Sequence, residues 1–170
     1  MFSVARCDLP ENSLLLEYRN NGAYTDCYTT DVHRKVSQIE YIRAFYTTVP
    51  FKVERMILKW AVSKPSTDEE ACLLAEAKVE SFAAWDVEAR QDDQILLSDY
   101  RGRTRLWLMS EPSSRNAGDS TRLYFGSAVV PIRIKETEEL SMGKTFSILL
   151  QFHKLYSQVL LSSAKSRLSS

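Results

Sequence analysis

A chain of 170 residues with 44% apolar, 26% charged and 11% aromatic side chains can bury a core as one domain without disulfide or metal staples. Lysine plus arginine and aspartate plus glutamate balance at 22 each, so no overall field draws in nucleic-acid phosphates or an anionic membrane. The start, Met1-Phe2-Ser3-Val4-Ala5-Arg6, lacks the basic and apolar regions of a secretory signal, and no stretch reaches the roughly 18 apolar residues of a membrane span. The expectation is a single cytoplasmic domain over 1–170, with an N-terminal segment at 1–22, an α+β core at 23–168 and a short Ser-rich tail.

The first segment, Pro10 to Asn21, carries Leu14, Leu15 and Leu16 inside polar flanks and suits a short helix or turn before Asn20-Asn21-Gly22. From Tyr24 to Val32 the residues are aromatic and β-branched in alternation, which predicts a strand with Tyr24, Asp26 and Tyr28 on one side. Ser37-Gln38-Ile39-Glu40 is a capping box and opens a helix. Ile39, Ile42, Phe45 or Tyr46, and Val49 repeat at helical spacing until Pro50, where a second helix restarts with Val53, Met56, Ile57, Trp60 and Ala61 as its apolar stripe. Thr67 with Glu70 predicts a third capped turn through Ala75.

From Ser81 the period falls to two. Phe82 to Arg90, Gln94 to Tyr100, Arg103 to Ser110 and Thr121 to Ile132 read as four strands of an antiparallel meander, joined by short turns and by the loop Glu111 to Asp119. The chain closes with a helix over about 143–167. Its polar residues Ser147, Gln151, Lys154, Gln158, Ser162 and Lys165 share one narrow arc, which predicts cover on more than one side: the sheet below and the earlier helices alongside.

Strand, two helices, meander and long C-terminal helix make the element order of the helix-grip, or START-like, architecture. Five short runs carry a second resemblance: Asp8-Leu9-Pro10-Glu11-Asn12-Ser13; Tyr24-Thr25-Asp26-Cys27-Tyr28; Phe82-Ala83-Ala84-Trp85 with Val87-Glu88; Gly102-Arg103-Thr104-Arg105 with Trp107; and Phe152-His153-Lys154-Leu155-Tyr156. Together they resemble an uncharacterised bacterial domain-of-unknown-function family (domain of unknown function 2867) over about Asp8 to Leu161. The resemblance implies a fold more than an activity. Members also occur beside a dinucleotide-binding domain, and this chain has no GxGxxG of that kind. It departs from the family before the last motif, with Leu150-Gln151 where a proline is expected.

Chemistry-bearing residues are few. His153 falls on the apolar side of the last helix, where it is either a hydrogen-bonded core histidine or a ligand-facing, proton-transferring one. Asp26, between Tyr24 and Tyr28, could orient a base or a ligand hydroxyl, or simply decorate an edge strand. With turns at Asp92-Asp93 and Arg101-Gly102, one sheet face gathers Trp85, Val87, Ala89, Leu96, Ser98, Tyr100, Arg103, Arg105, Trp107 and Met109. If that face lies under the last helix, Arg103 and Arg105 become inward cations suited to a carboxylate head group. A one-residue slip instead leaves both outside, paired with carboxylates.

Cys7, Cys27 and Cys72 are widely spaced, with no CxxC and no histidine pair, and read as reduced thiols without a metal. His33 beside Arg34 and Lys35 reads as exposed loop. The leading expectation is therefore a binding module for an apolar or carboxylate small molecule, with Trp85, Tyr100, Arg103, Arg105, Trp107 and His153 as lining, no cofactor, and no nucleic-acid partner. The alternatives are a small cyclase, hydratase or isomerase using His153 or Asp26, and a ligand-free interaction domain. Oligomeric state is not legible.

Overall fold

The computed structural model describes residues 4–52, 66–114, 119–130 and 144–169, with side chains of the last helix described from Tyr156 onward. In chain order the elements are β1 (Ala5–Arg6), α1 (Leu16–Asn20), β2 (Tyr24–Val32), α2 (Gln38–Tyr46), a helical turn at 49–52, and α3 (Asp68–Ala75). They continue with β3 (Ser81–Phe82), β4 (Trp85–Arg90), β5 (Gln94–Asp99), β6 (Thr104–Pro112), β7 (Thr121–Val129) and α4 (Lys144–Leu168). The fold is α+β. One antiparallel sheet runs in the order β1-β2-β7-β6-β5-β4-β3, and α4 packs against it.

Local chemistry explains most boundaries. Both capping boxes form: Ser37 and Thr67 accept from the backbone N–H of Glu40 and Glu70, whose carboxylates return to the cap N–H groups. The φ of +83° at Gly22 lets α1 turn directly into β2. Helix α2 ends at Tyr46, before Val49, and it buries Tyr41, Ile42, Ala44, Phe45 and Tyr46, whereas Ile39 and Val49 are exposed. The proposed stripe from Val53 to Ala61 lies outside the described residues.

The expected strand from Phe82 to Arg90 is in fact two. Ala83 adopts φ +55°, a left-handed conformation that reverses the chain so that Phe82 pairs with Trp85. A bulge follows, because Val87 pairs with Leu97 but Ala89 with Leu96. The extra residue swings Trp85 and Val87 to the opposite face from Ala89, correcting the face assignment made from uninterrupted alternation.

Each sheet face is covered. On one, Tyr28, Val32, Ile95, Leu97, Leu106, Leu108, Leu123 and Phe125 pack against α2, α3 and α4. Phe45 stacks on Phe125 at 5.2 Å, and Tyr46, Phe51 and Phe82 form edge and stacked contacts beside it. On the other, Cys27, Leu96, Trp107, Met109, Tyr124 and Ala128 are covered by Leu9, Leu14, Leu15, Leu16 and Tyr18 of the N-terminal segment. The two edge strands are only two residues long, which limits edge-to-edge pairing with other chains.

In α4, Ser157, Leu160, Leu161, Ala164 and Leu168 are buried at helical spacing, against β2, β7 and α2. Val159, on the same helix, is 43% exposed. The helix end is tied down where Arg34 Nε donates to the Leu168 carbonyl at 2.7 Å and Arg167 Nη1 to the Thr47 carbonyl at 3.0 Å. Among the described residues no helix is long and apolar enough to cross a membrane.

Candidate functional site

A cavity of about 250 Å³ opens between the sheet and the C-terminal half of α4. Ala84 and Trp85 of the β3–β4 hairpin, Asp99 and Tyr100 at the end of β5, Thr104 to Leu106 on β6, Phe125 and Ser127 on β7, and Tyr156 and Leu160 of α4 line it. Its volume lies just below the roughly 300–1,000 Å³ of small-molecule pockets, and its walls are mainly apolar, as such pockets are. The indole Nε1 of Trp85 is buried with no hydrogen-bond partner among the described residues.

One rim of the cavity is braced by Asp99. Its Oδ1 accepts from the backbone N–H of Arg103 at 2.7 Å and of Thr104 at 3.0 Å, while the Gly102 N–H bonds its carbonyl. Gly102 sits at φ +67°, a conformation glycine adopts without strain. Tyr100 N donates to the Ala84 carbonyl at 2.9 Å, joining this turn to the β3–β4 hairpin. Tyr100 is 42% exposed, with the Arg101 guanidinium 5.2 Å above its ring.

The proposed lining residues therefore divide. Trp85, Tyr100 and Arg105 border the cavity. The guanidinium of Arg105, however, is engaged on the opposite sheet face: its Nε donates to Tyr18 Oη at 2.8 Å and pairs with Glu88 Oε2 at 2.6 Å. Tyr18 Oη in turn donates to Glu88 Oε1, and the guanidinium lies 4.8 Å over the Tyr18 ring. Burial, then hydrogen bonding to the Glu88 carboxylate, raises the Tyr18 hydroxyl above its usual range. Arg103 is exposed.

Trp107 is wholly buried on the face away from α4, its Nε1 donating to Gln94 Oε1 at 2.8 Å. The aromatic face bearing Arg105 and Trp107 thus lies under the N-terminal segment and not under the last helix, so of the two alternatives for the arginines the outward one holds, Arg105 pairing with a carboxylate, and Trp107 does not line the cavity. Glu88, across the sheet from Arg105, is the partner that sequence reading left unnamed, because only the bulge brings it there. His153 lies within α4, and its side chain is outside the described residues.

Asp26 is 3% exposed, and its Oδ1 accepts from Ser127 N at 3.2 Å and Ser127 Oγ at 2.6 Å. Ser127 lines the cavity, and Asp26 is its cross-strand neighbour. Flanking tyrosines respond to that carboxylate: burial and then the Asp26 charge raise both Tyr24 and Tyr28, with hydrogen bonding from Gln158 of α4 opposing the shift at Tyr28. Tyr24 Oη has no hydrogen-bond partner among the described residues.

A second, more polar cleft of about 370 Å³ is lined by Arg6, Cys7, Asp8, Leu9, Arg19, Thr25, Asp26 and Cys27, at the junction of β1, α1 and β2. Among the described residues no three His, Cys, Asp or Glu side chains gather in a group able to hold a metal ion. The three cysteines are free thiols, and His33 is exposed. Neither a protein-family model nor a curated protein matches the sequence.

Proposed function

We propose that the chain is a binding module that holds an apolar small molecule in the cavity between the sheet and α4. The observation that carries this reading is the cavity itself, with aromatic and aliphatic walls from Trp85, Leu106, Phe125, Tyr156 and Leu160. Those walls suit a molecule that is mainly hydrocarbon. Because the Arg105 guanidinium is occupied by Glu88 and Tyr18, the acid preference expected for two inward arginines is not part of this proposal. A helix-grip-like use of the last helix as one wall goes with it, as does our placement of the chain beside domain of unknown function 2867.

Native mass spectrometry of the protein purified from cells, combined with displacement of a fluorescent fatty acid, tests the reading. Bound apolar species, or displacement by medium-chain alcohols and acids, is the expected result. A protein that carries no adduct and takes up no fluorophore would overturn it.

A further inference from the structure

We infer that Cys7 and Cys27 are a dithiol pair that closes to a disulfide on reaction with a small disulfide such as oxidised glutathione, covalently fastening the N-terminal segment to β2. The register carries the first part of the argument. Ala5 pairs with Thr29 and Arg6 with Tyr28, so the next antiparallel position sets Cys7 opposite Cys27, and Cys7 N donates to the Cys27 carbonyl at 3.0 Å. Directly opposed residues of a hydrogen-bonded antiparallel pair have Cα atoms about 5.5 Å apart, inside the roughly 4.4–6.8 Å that a disulfide spans. The two sulfurs already stand 3.2 Å apart.

Accessibility supplies the order of events. Cys27 is 2% exposed, whereas Cys7 is half-buried and so meets an oxidant first; both border the polar cleft, whose lining includes Arg6 and Arg19 together with Asp8 and Asp26. The Cys7 thiolate attacks one sulfur of the disulfide, forming a Cys7 mixed disulfide and releasing one small thiol. Cys27 gives up its proton and attacks the Cys7 sulfur, expelling the second small thiol. Two protein thiols are oxidised, one small disulfide is reduced to two thiols, and the protons of Cys7 and Cys27 pass to them. Hydrogen bonding with the Cys27 thiol lowers the Cys7 pKa, which favours Cys7 as the first attacking thiolate.

The test uses the full chain equilibrated with oxidised glutathione, acid-quenched, and alkylated after unfolding. The expected result is a fall from three free thiols to one, a mass loss of two hydrogens, and a non-reduced peptide joining Cys7 to Cys27 with Cys72 alkylated. The Cys27→Ala chain stops at a stable glutathione adduct on Cys7, and the Cys7→Ala chain leaves Cys27 unmodified. Three alkylated cysteines in the wild-type chain, or a wild-type adduct on Cys7 that never resolves, would overturn the inference. This readout is independent of whether the other cavity binds a ligand.

Discussion

Trp107 and Gln94 hold one another in the interior, the indole Nε1 donating to the amide Oε1 at 2.8 Å. The same oxygen accepts from Leu14 N at 2.9 Å, and Gln94 Nε2 donates to the Asn12 carbonyl at 3.0 Å and to Gln91 Oε1 at 2.8 Å. One fully buried amide thereby orients the tryptophan and fastens the N-terminal segment to the sheet. Gln94→Ala strands the buried Trp107 donor and the part-buried Leu14 N–H at once, each costing about 1–3 kcal/mol, so unfolding in urea should show a loss of about 2–6 kcal/mol. A loss below about 1 kcal/mol would mean that water replaces the amide without penalty.

Gly126 faces the same indole across the β6–β7 ladder. A Cβ placed there would stand 2.9 Å from Trp107 Cε3, 3.0 Å from the Asp26 carbonyl oxygen and 3.0 Å from Leu15 Cδ2. The carbonyl belongs to a neighbouring strand and cannot swing aside. Gly126→Ala should therefore destabilise by about 1–3 kcal/mol through overpacking, despite the better strand propensity of alanine. An unchanged urea midpoint would contradict that packing.

Arg105, Glu88 and Tyr18 form a partly shielded cluster, the first two side chains being 12% and 32% exposed. A double-mutant cycle with Arg105→Met and Glu88→Gln should return a coupling of about 1–2 kcal/mol, above the usual value for exposed pairs. Tyr18→Phe should reduce the coupling, since its hydroxyl bonds to both partners. Coupling near zero would make the pair ordinary surface charge.

The Glu40 carboxylate is held below its ordinary value near 4.5, first by the Ser37 backbone N–H and then by the Ser37 hydroxyl and Arg34, with burial opposing. A carboxylate whose pKa is lower folded than unfolded adds stability above its unfolded pKa and loses it as pH falls through the folded one. Stability of the wild-type chain should thus decline with acidification below about pH 4.5. Glu40→Gln should flatten that limb. Identical acid limbs in both proteins would remove Glu40 as a contributor.

Thr104 lines the proposed ligand cavity and is half-buried, so Thr104→Phe fills it from a strand position that tolerates aromatics. Fluorophore affinity should drop at least about tenfold, or about 1.4 kcal/mol, with the urea midpoint little changed. Undiminished uptake would place the binding elsewhere.

Local signals were readable along the chain. The Ser37 and Thr67 capping boxes act over four residues, and the alternation of Tyr24 to Val32 is complete within one strand, so neither depends on distant partners. The left-handed Ala83 and the bulge after Val87 carry no distinctive residue, and those two irregularities decide which face Trp85 and Glu88 occupy. Leu9, Leu14, Leu15, Leu16 and Tyr18 were a usable clue, since apolar residues in a polar segment require cover.

What the sequence determined by itself was the kind and order of most of the described elements, though not β1 or the break between β3 and β4, because capping, periodicity and turn chemistry are short-range. Which sheet face meets α4, and hence whether Arg105 points at a ligand or at Glu88, was decided only by tertiary structure. A one-residue irregularity in a strand of period two exchanges inside and outside, and the balance of burial over both faces settles the outcome.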